Sequence, residues 1–105
     1  MGRLLVREQA EAEVDLIAAQ IAVDNLPAAL RFYDRVQETF ERLADWPLSG
    51  TRRTARNSAL RGLRYYPIRG YRNYLVFYLP LADGGVEIVH VIHGARDIPA
   101  ALHGQ

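Results

Sequence analysis

The sequence predicts a two-layer α+β fold with the element order β-α-α-β-β-β: an N-terminal strand, an α-helical hairpin and a three-stranded antiparallel meander. Three observations carry this reading. Two successive segments of helical period occupy the first half, separated by a proline-containing break. The second half switches to period two, in segments rich in Val, Ile, Tyr and Phe with short Gly-bearing connectors. Charge divides near the same point as the period.

The elements follow in order. Arg3-Leu4-Leu5-Val6-Arg7 is short, apolar in the middle and charged at its ends, as a strand is. From Glu8 to Val23 the residues Val14, Ile17, Ala18 and Ile21 fall at i, i+3, i+4 and i+7, which places them on one face of a helix. Glu8, Glu11 and Glu13 crowd its first turns, where the helix dipole favours anions. Asp24-Asn25-Leu26-Pro27 breaks the pattern with turn and capping chemistry, and Pro27 suits the first turn of a second helix. That helix runs from Ala28 to Ala44, with Ala29, Tyr33, Val36, Phe40 and Leu43 along its apolar side. Its other side carries charge pairs at helical spacing, Arg31–Asp34, Arg35–Glu38 and Glu38–Arg42, which read as a solvated face.

Trp46-Pro47-Leu48-Ser49-Gly50 ends the second helix, and the polar, basic segment to Ser58 reads as loop or a short helical turn. Strands are expected over Leu60–Ile68, Asn73–Leu79 and Val86–Ile92. Arg69-Gly70-Tyr71-Arg72 and Ala82-Asp83-Gly84-Gly85 connect them as hairpins. The tail from Ala95, with Pro99 near its start, is at most weakly helical. The helical hairpin covers one face of the sheet. The other face is expected to carry part of the Arg and Tyr set, such as Arg64, Tyr66, Tyr74 and Tyr78. Alternation leaves open which set faces out, because both faces of the later strands are apolar.

At 105 residues, positions 1–105 read as a single domain with a modest core. There is no cysteine, which removes disulfides and thiolate metal sites. No run approaches the roughly 18 apolar residues of a membrane span, and the N-terminal apolar run is too short for an export signal. The expected compartment is therefore the cytoplasm, with no membrane partner. All thirteen basic residues are Arg. GC-rich codon usage accounts for Arg over Lys without any function. It does not account for Trp46 to Ala82, which holds seven Arg (52, 53, 56, 61, 64, 69 and 72) and no Asp or Glu. The remainder has six Arg against twelve acids. Such segregation favours an anionic partner, a nucleic acid or an acidic protein segment.

Five segments in fixed order resemble the ParE-like branch of the RelE/ParE toxin superfamily. Asp24-Asn25-Leu26-Pro27-Ala28-Ala29-Leu30-Arg31-Phe32 is similar to the family's DNP-x-A-A-x-R-F stretch, with Leu26 where many members place Pro. Phe40-x-x-Leu43-x-x-x-Pro47-x-x-Gly50 resembles its exit from helix two. Leu60-Arg61-Gly62-Leu63-Arg64 and Tyr74-x-Val76-Phe77-Tyr78 resemble its first meander strands. Val86 to Asp97, ending His93-Gly94-Ala95-Arg96-Asp97, resembles the last strand and H-G-x-R-D tail. The resemblance implies the toxin of a type II toxin–antitoxin pair. It implies inhibition of DNA gyrase by binding, and silencing by a ParD-like antitoxin of ribbon-helix-helix type. The alternative on the same fold is a ribosome-dependent mRNA endonuclease of RelE type.

Chemistry distinguishes the two expectations. RNA cleavage requires a general base, a general acid and cations at the phosphate. RelE-type members resemble one another in using Lys residues and a C-terminal Tyr; here there is no Lys and the last Tyr is Tyr78. Another branch uses Glu after helix two, a segment that is acid-free here. A nuclease would rest on His93 with Arg64. A structural role for His93, bonded to Asp97 or to backbone beside Gly94, weighs more. His90 and His93 lie on opposite faces of an alternating strand, which argues against a shared metal. No metal site, cofactor or catalytic set is expected. The expected target-binding residues are Arg61, Arg64, Arg69, Arg72, Tyr74, Tyr78, His93, Arg96 and Asp97. Direct nucleic-acid contact is a weaker expectation.

Overall fold

The computed structural model describes residues 2–98. The chain forms β1 (Arg3–Val6), α1 (Glu8–Asp24), α2 (Leu26–Asp45), β2 (Thr51–Arg52), a one-turn 3-10 helix (Ser58–Leu60), β3 (Arg64–Ile68), β4 (Tyr71–Pro80) and β5 (Gly85–His93). The expectation for the tail bears mostly on positions 99–105, Pro99 included, which lie outside the described residues.

Local chemistry accounts for both helices. In α1, Ala10, Val14, Ile17 and Ala18 are buried, and its backbone ends at Asn25, whose N–H still bonds to Ile21 O. The same Asn25 opens α2, its side chain accepting from Ala28 N at 3.0 Å, with Pro27 in the first turn. In α2 the buried set is Ala29, Phe32, Val36, Thr39, Phe40, Leu43 and Ala44. Phe32 therefore takes the place expected of Tyr33, one position, or about 100°, around the helix. Its burial is worth roughly 1.5–3 kcal/mol. Tyr33 lies outside and donates to Asp15 on α1 at 2.7 Å, a bond that raises its pKa.

The meander is one part of a mixed five-stranded sheet of order β1-β5-β4-β3-β2. β1 returns to the far edge and pairs in parallel with β5, Arg3 opposite Gly85 and Val6 opposite Ile88. β2, where the sequence suggested loop, adds two residues beside Tyr65 and Arg64. The β3–β4 turn is built on Gly70 at φ +83°, a left-handed conformation open to glycine. β5 bulges at Val89, since Phe77 pairs with His90 and Tyr78 with Ile88.

Both sheet faces are covered. One carries Ile68, Val76, Tyr78, Val86, Ile88 and Val91 against the two helices. The other carries Phe77, Val89 and Ile92, with Tyr65, Leu75 and Leu79, under Leu60 and Leu63 of the β2–β3 connector. Tyr66, Tyr74 and Tyr78 thus pack on the helical side, contrary to the expectation that they mark an open face. The reason is that the connector supplies the second face with its own apolar lid.

Tyr78 is fully buried, which removes it from the target-binding set. Its hydroxyl donates to Pro47 O at 2.7 Å and accepts from Gly50 N at 2.8 Å. Arg64, opposite Tyr78 in register, donates to Gly50 O at 2.7 Å and Leu48 O at 3.3 Å. Together they hold the chain as it leaves α2. Burial raises the pKa of Tyr78, opposed by the bond from Gly50. Tyr78→Phe strands the Gly50 N–H and should cost about 1–3 kcal/mol in denaturant unfolding. The sign at alkaline pH follows from the raised folded pKa. Wild type gains this stability fully below the ordinary tyrosine pKa and loses it as pH rises through the folded value. The phenylalanine variant lacks that loss.

Candidate target-binding surface

The expected site residues fall into four places. A cleft of about 550 Å³ opens between α2 and the β3–β4 hairpin, lined by Glu38, Thr39, Arg42, Tyr66, Arg69 and Arg72. Arg42 donates to Tyr66 OH at 3.1 Å, and its guanidinium lies 5.8 Å from that ring's centroid, a cation–π approach. The one carboxylate here, Glu38, is engaged by Arg35 at 2.8 Å. Arg69 and Arg72 are exposed, and neither joins an ion pair among the described residues.

Arg61 lies elsewhere, in a second cleft of about 440 Å³ with Arg52, Arg53 and Arg56. Arg64 and Tyr78 form the clamp on the exit from α2 described above. The fourth place is the end of β5. Tyr74, Arg96 and Asp97 line a cleft of about 440 Å³ against Glu13, Leu16 and Gln20 of α1. His93 packs edge-on against Tyr74, with ring centroids 5.5 Å apart. Its Nδ1 accepts from Arg96 N at 3.3 Å, so the ring proton sits on Nε2. Asp97 N bonds to His93 O at 3.0 Å, and Gly94 N to Asn73 O at 2.7 Å.

His93 and Arg64 do not meet. Arg64 pairs with Tyr78 and His93 with Tyr74. Those partners are about 13 Å apart along β4, with β3 and β5 on its opposite sides. One phosphate cannot touch both. Among the described residues, no group of three or more His, Asp or Glu is placed to hold a metal ion. No described helix is long and apolar enough to cross a membrane.

Sequence reasoning missed two kinds of residue. Arg42 was assigned to a solvated helix face; only the fold brings it to Tyr66 and the hairpin arginines. Exposed apolar side chains form the other kind: Leu16, Val23, Leu26 and Leu30 on the helical hairpin, and Trp46 and Leu48 at the exit from α2. On the helices the signal was present, since Leu16, Val23, Leu26 and Leu30 fall off the buried stripes.

A helical hairpin laid on a mixed sheet, with arginines concentrated at its hairpin edge and α2 exit, is consistent with the RelE/ParE fold. Within that class the match is specific. A family model described as the ParE toxin of the type II toxin–antitoxin system, parDE, covers residues 4–98, and the chain belongs to this family. It is therefore the toxin of a type II pair, with an antitoxin as its implied partner. No curated protein matches it.

Proposed function

We propose that this toxin inhibits DNA gyrase by binding it, without catalysis, and is neutralised by a ParD-like antitoxin of ribbon-helix-helix type. The observation that carries the reading is the cleft between α2 and the β3–β4 hairpin. It presents Arg69 and Arg72 beside an Arg42–Tyr66 pair, and its one carboxylate is already engaged. Arginine and tyrosine are the usual anchors of a protein-binding surface. No His lines that cleft, Glu38 is held by Arg35 and the Tyr66 hydroxyl by Arg42, which supports gripping over cutting. An acidic helical segment of the antitoxin is complementary to the same cleft and would occlude it.

The test is gyrase supercoiling with purified toxin. Arg69→Ala with Arg72→Ala should raise the inhibitory concentration about tenfold to a hundredfold, the effect of losing one or two anchor residues. Both side chains are exposed, so the thermal transition should not move. In cells, induction should stop replication first and trigger an SOS response. Early translation arrest with messages cut in the ribosomal A site, lost on His93→Ala, supports the RelE-type nuclease instead.

A further inference from the structure

The cleft holding Arg61 belongs to a segment with its own architecture. Between β2 and β3 the chain folds into a compact connector. Arg53 N bonds to Leu63 O at 2.8 Å, Leu60 N to Asn57 O at 2.9 Å, and Asn57 caps Ala59 N at 2.9 Å. Leu60 and Leu63, each 1 % exposed, nail it to the second apolar cluster. The side chains turned outward are Arg52, Arg53, Arg56 and Arg61, interspersed with Thr54 and Ser58. No ion pair among the described residues involves any of these four arginines. Four cations are thus carried on one scaffold, with no ion-pairing acid among the described residues to neutralise them.

We propose that this connector is a phosphate-backbone contact for duplex DNA. Three features choose that occupant. The outward set of Arg, Thr, Ser and Asn matches the side chains that bond phosphate oxygens and position a protein on a duplex. The segment from Thr51 to Leu63 contains no aromatic residue, so it lacks the stacking platform that single-stranded nucleic acid requires. Its large apolar side chains, Leu60 and Leu63, are buried, so it also lacks the apolar centre of a protein interface. The rest of the chain contributes to orientation. Outside Trp46–Ala82 acids outnumber arginines two to one, so a polyanion is repelled from the helical layer and drawn to this edge.

The inference stands apart from the choice of gyrase as target, because the probe is DNA alone. Binding of the purified toxin to a short mixed-sequence duplex is measured by fluorescence anisotropy across a salt series. Each phosphate neutralised contributes about −0.9 to the slope of log K against log salt. The quadruple variant Arg52→Gln, Arg53→Gln, Arg56→Gln, Arg61→Gln should lose about 3.6 units of that slope. Arg31→Gln with Arg35→Gln, on the helical layer, should leave it unchanged. If the quadruple variant unfolds, Arg53→Gln and Arg56→Gln singly should each remove about 1 unit. A toxin that ignores duplex DNA at low salt, or variants with the wild-type slope, overturns the proposal. So does tighter binding to single-stranded RNA of the same length, or equal binding to polyglutamate of matched charge.

Discussion

Replacing Gly85 with alanine is expected to unfold the protein at ambient temperature or leave it barely folded. Gly85 begins β5 at φ +89°, where an L side chain is strained. Strain alone costs on the order of 1–3 kcal/mol. The larger penalty is steric. Gly85 is buried opposite Arg3, and a Cβ there would collide with the Arg3 backbone nitrogen and oxygen. These are atoms of the neighbouring strand and cannot rotate away. β1 must move off, giving up its parallel pairing and the apolar contacts of Leu4 and Val6 with the helical-side core. Together these put the loss at about 4 kcal/mol or more, a large share of the roughly 5–15 kcal/mol that holds a small domain together. The thermal midpoint should fall by about 15–30 °C, read by circular dichroism. Gly84→Ala is the control. Gly84 has φ +97°, but a Cβ there meets nothing within 4 Å, so only the strain applies. Equal midpoints for the two variants would contradict the steric account.

What the sequence made legible divides by range of interaction. The helix stripes, the Asn25 cap and the Gly70 turn depend on residues close in the chain, and the structure bears them out except at Tyr33, whose place Phe32 takes. β2 was not legible, because two residues make a strand only when Arg64 and Tyr65 lie alongside to pair with them. Nor was the parallel partner of β1, which depends on contact with residues some eighty positions away. The orientation of Tyr66, Tyr74 and Tyr78 was undecidable from alternation, since both faces of β4 and β5 are apolar. It was decided by Leu60 and Leu63, which the sequence assigns to the start of a strand over Leu60–Ile68 but which lie before β3, in and just after the 3-10 turn, and cover the second face.

The candidate surface divides the same way. The acid-free arginine span is a property of composition and was visible at once. Its separation into a hairpin cleft, a connector cleft and a structural clamp was not, because Arg61, Arg64 and Arg69 are close in sequence but sent to different neighbours by a 3-10 turn and a strand. Arg42 joined the site from the other half of the chain.

Glu13 was read as one of three acids favoured by a helix dipole, and its structural position gives it a more specific task. β1 pairs with β5 only as far as Ile88, where Arg7 N makes the last bond, so the Val91 N–H on that edge lies beyond any strand that could accept it. Glu13 reaches from α1 into the gap. One carboxylate oxygen accepts Val91 N–H at 2.9 Å, and both lie within 3.2 Å of His90 Nδ1. His90 is 3 % exposed, and its Nε2 has no partner among the described residues. That fixes the tautomer: a proton on Nδ1 donates to the carboxylate, whereas one on Nε2 would be buried unmet. Glu13→Ala strands two donors at once, and each buried orphan costs about 1–3 kcal/mol. We expect a net loss of about 3 kcal/mol and a thermal midpoint lower by about 12–24 °C. Glu13→Gln keeps an acceptor for Val91 but turns its amide toward His90, so it should recover part of the loss and not all. Hydrogen exchange localises the effect. In Glu13→Ala the Val91 amide should lose more protection than the amides of Ile68 and Val76, to which Glu13 makes no bond. A uniform loss across the sheet would mean that Glu13 acts only by general helix stabilisation, as its place in the first turns of α1 first suggested.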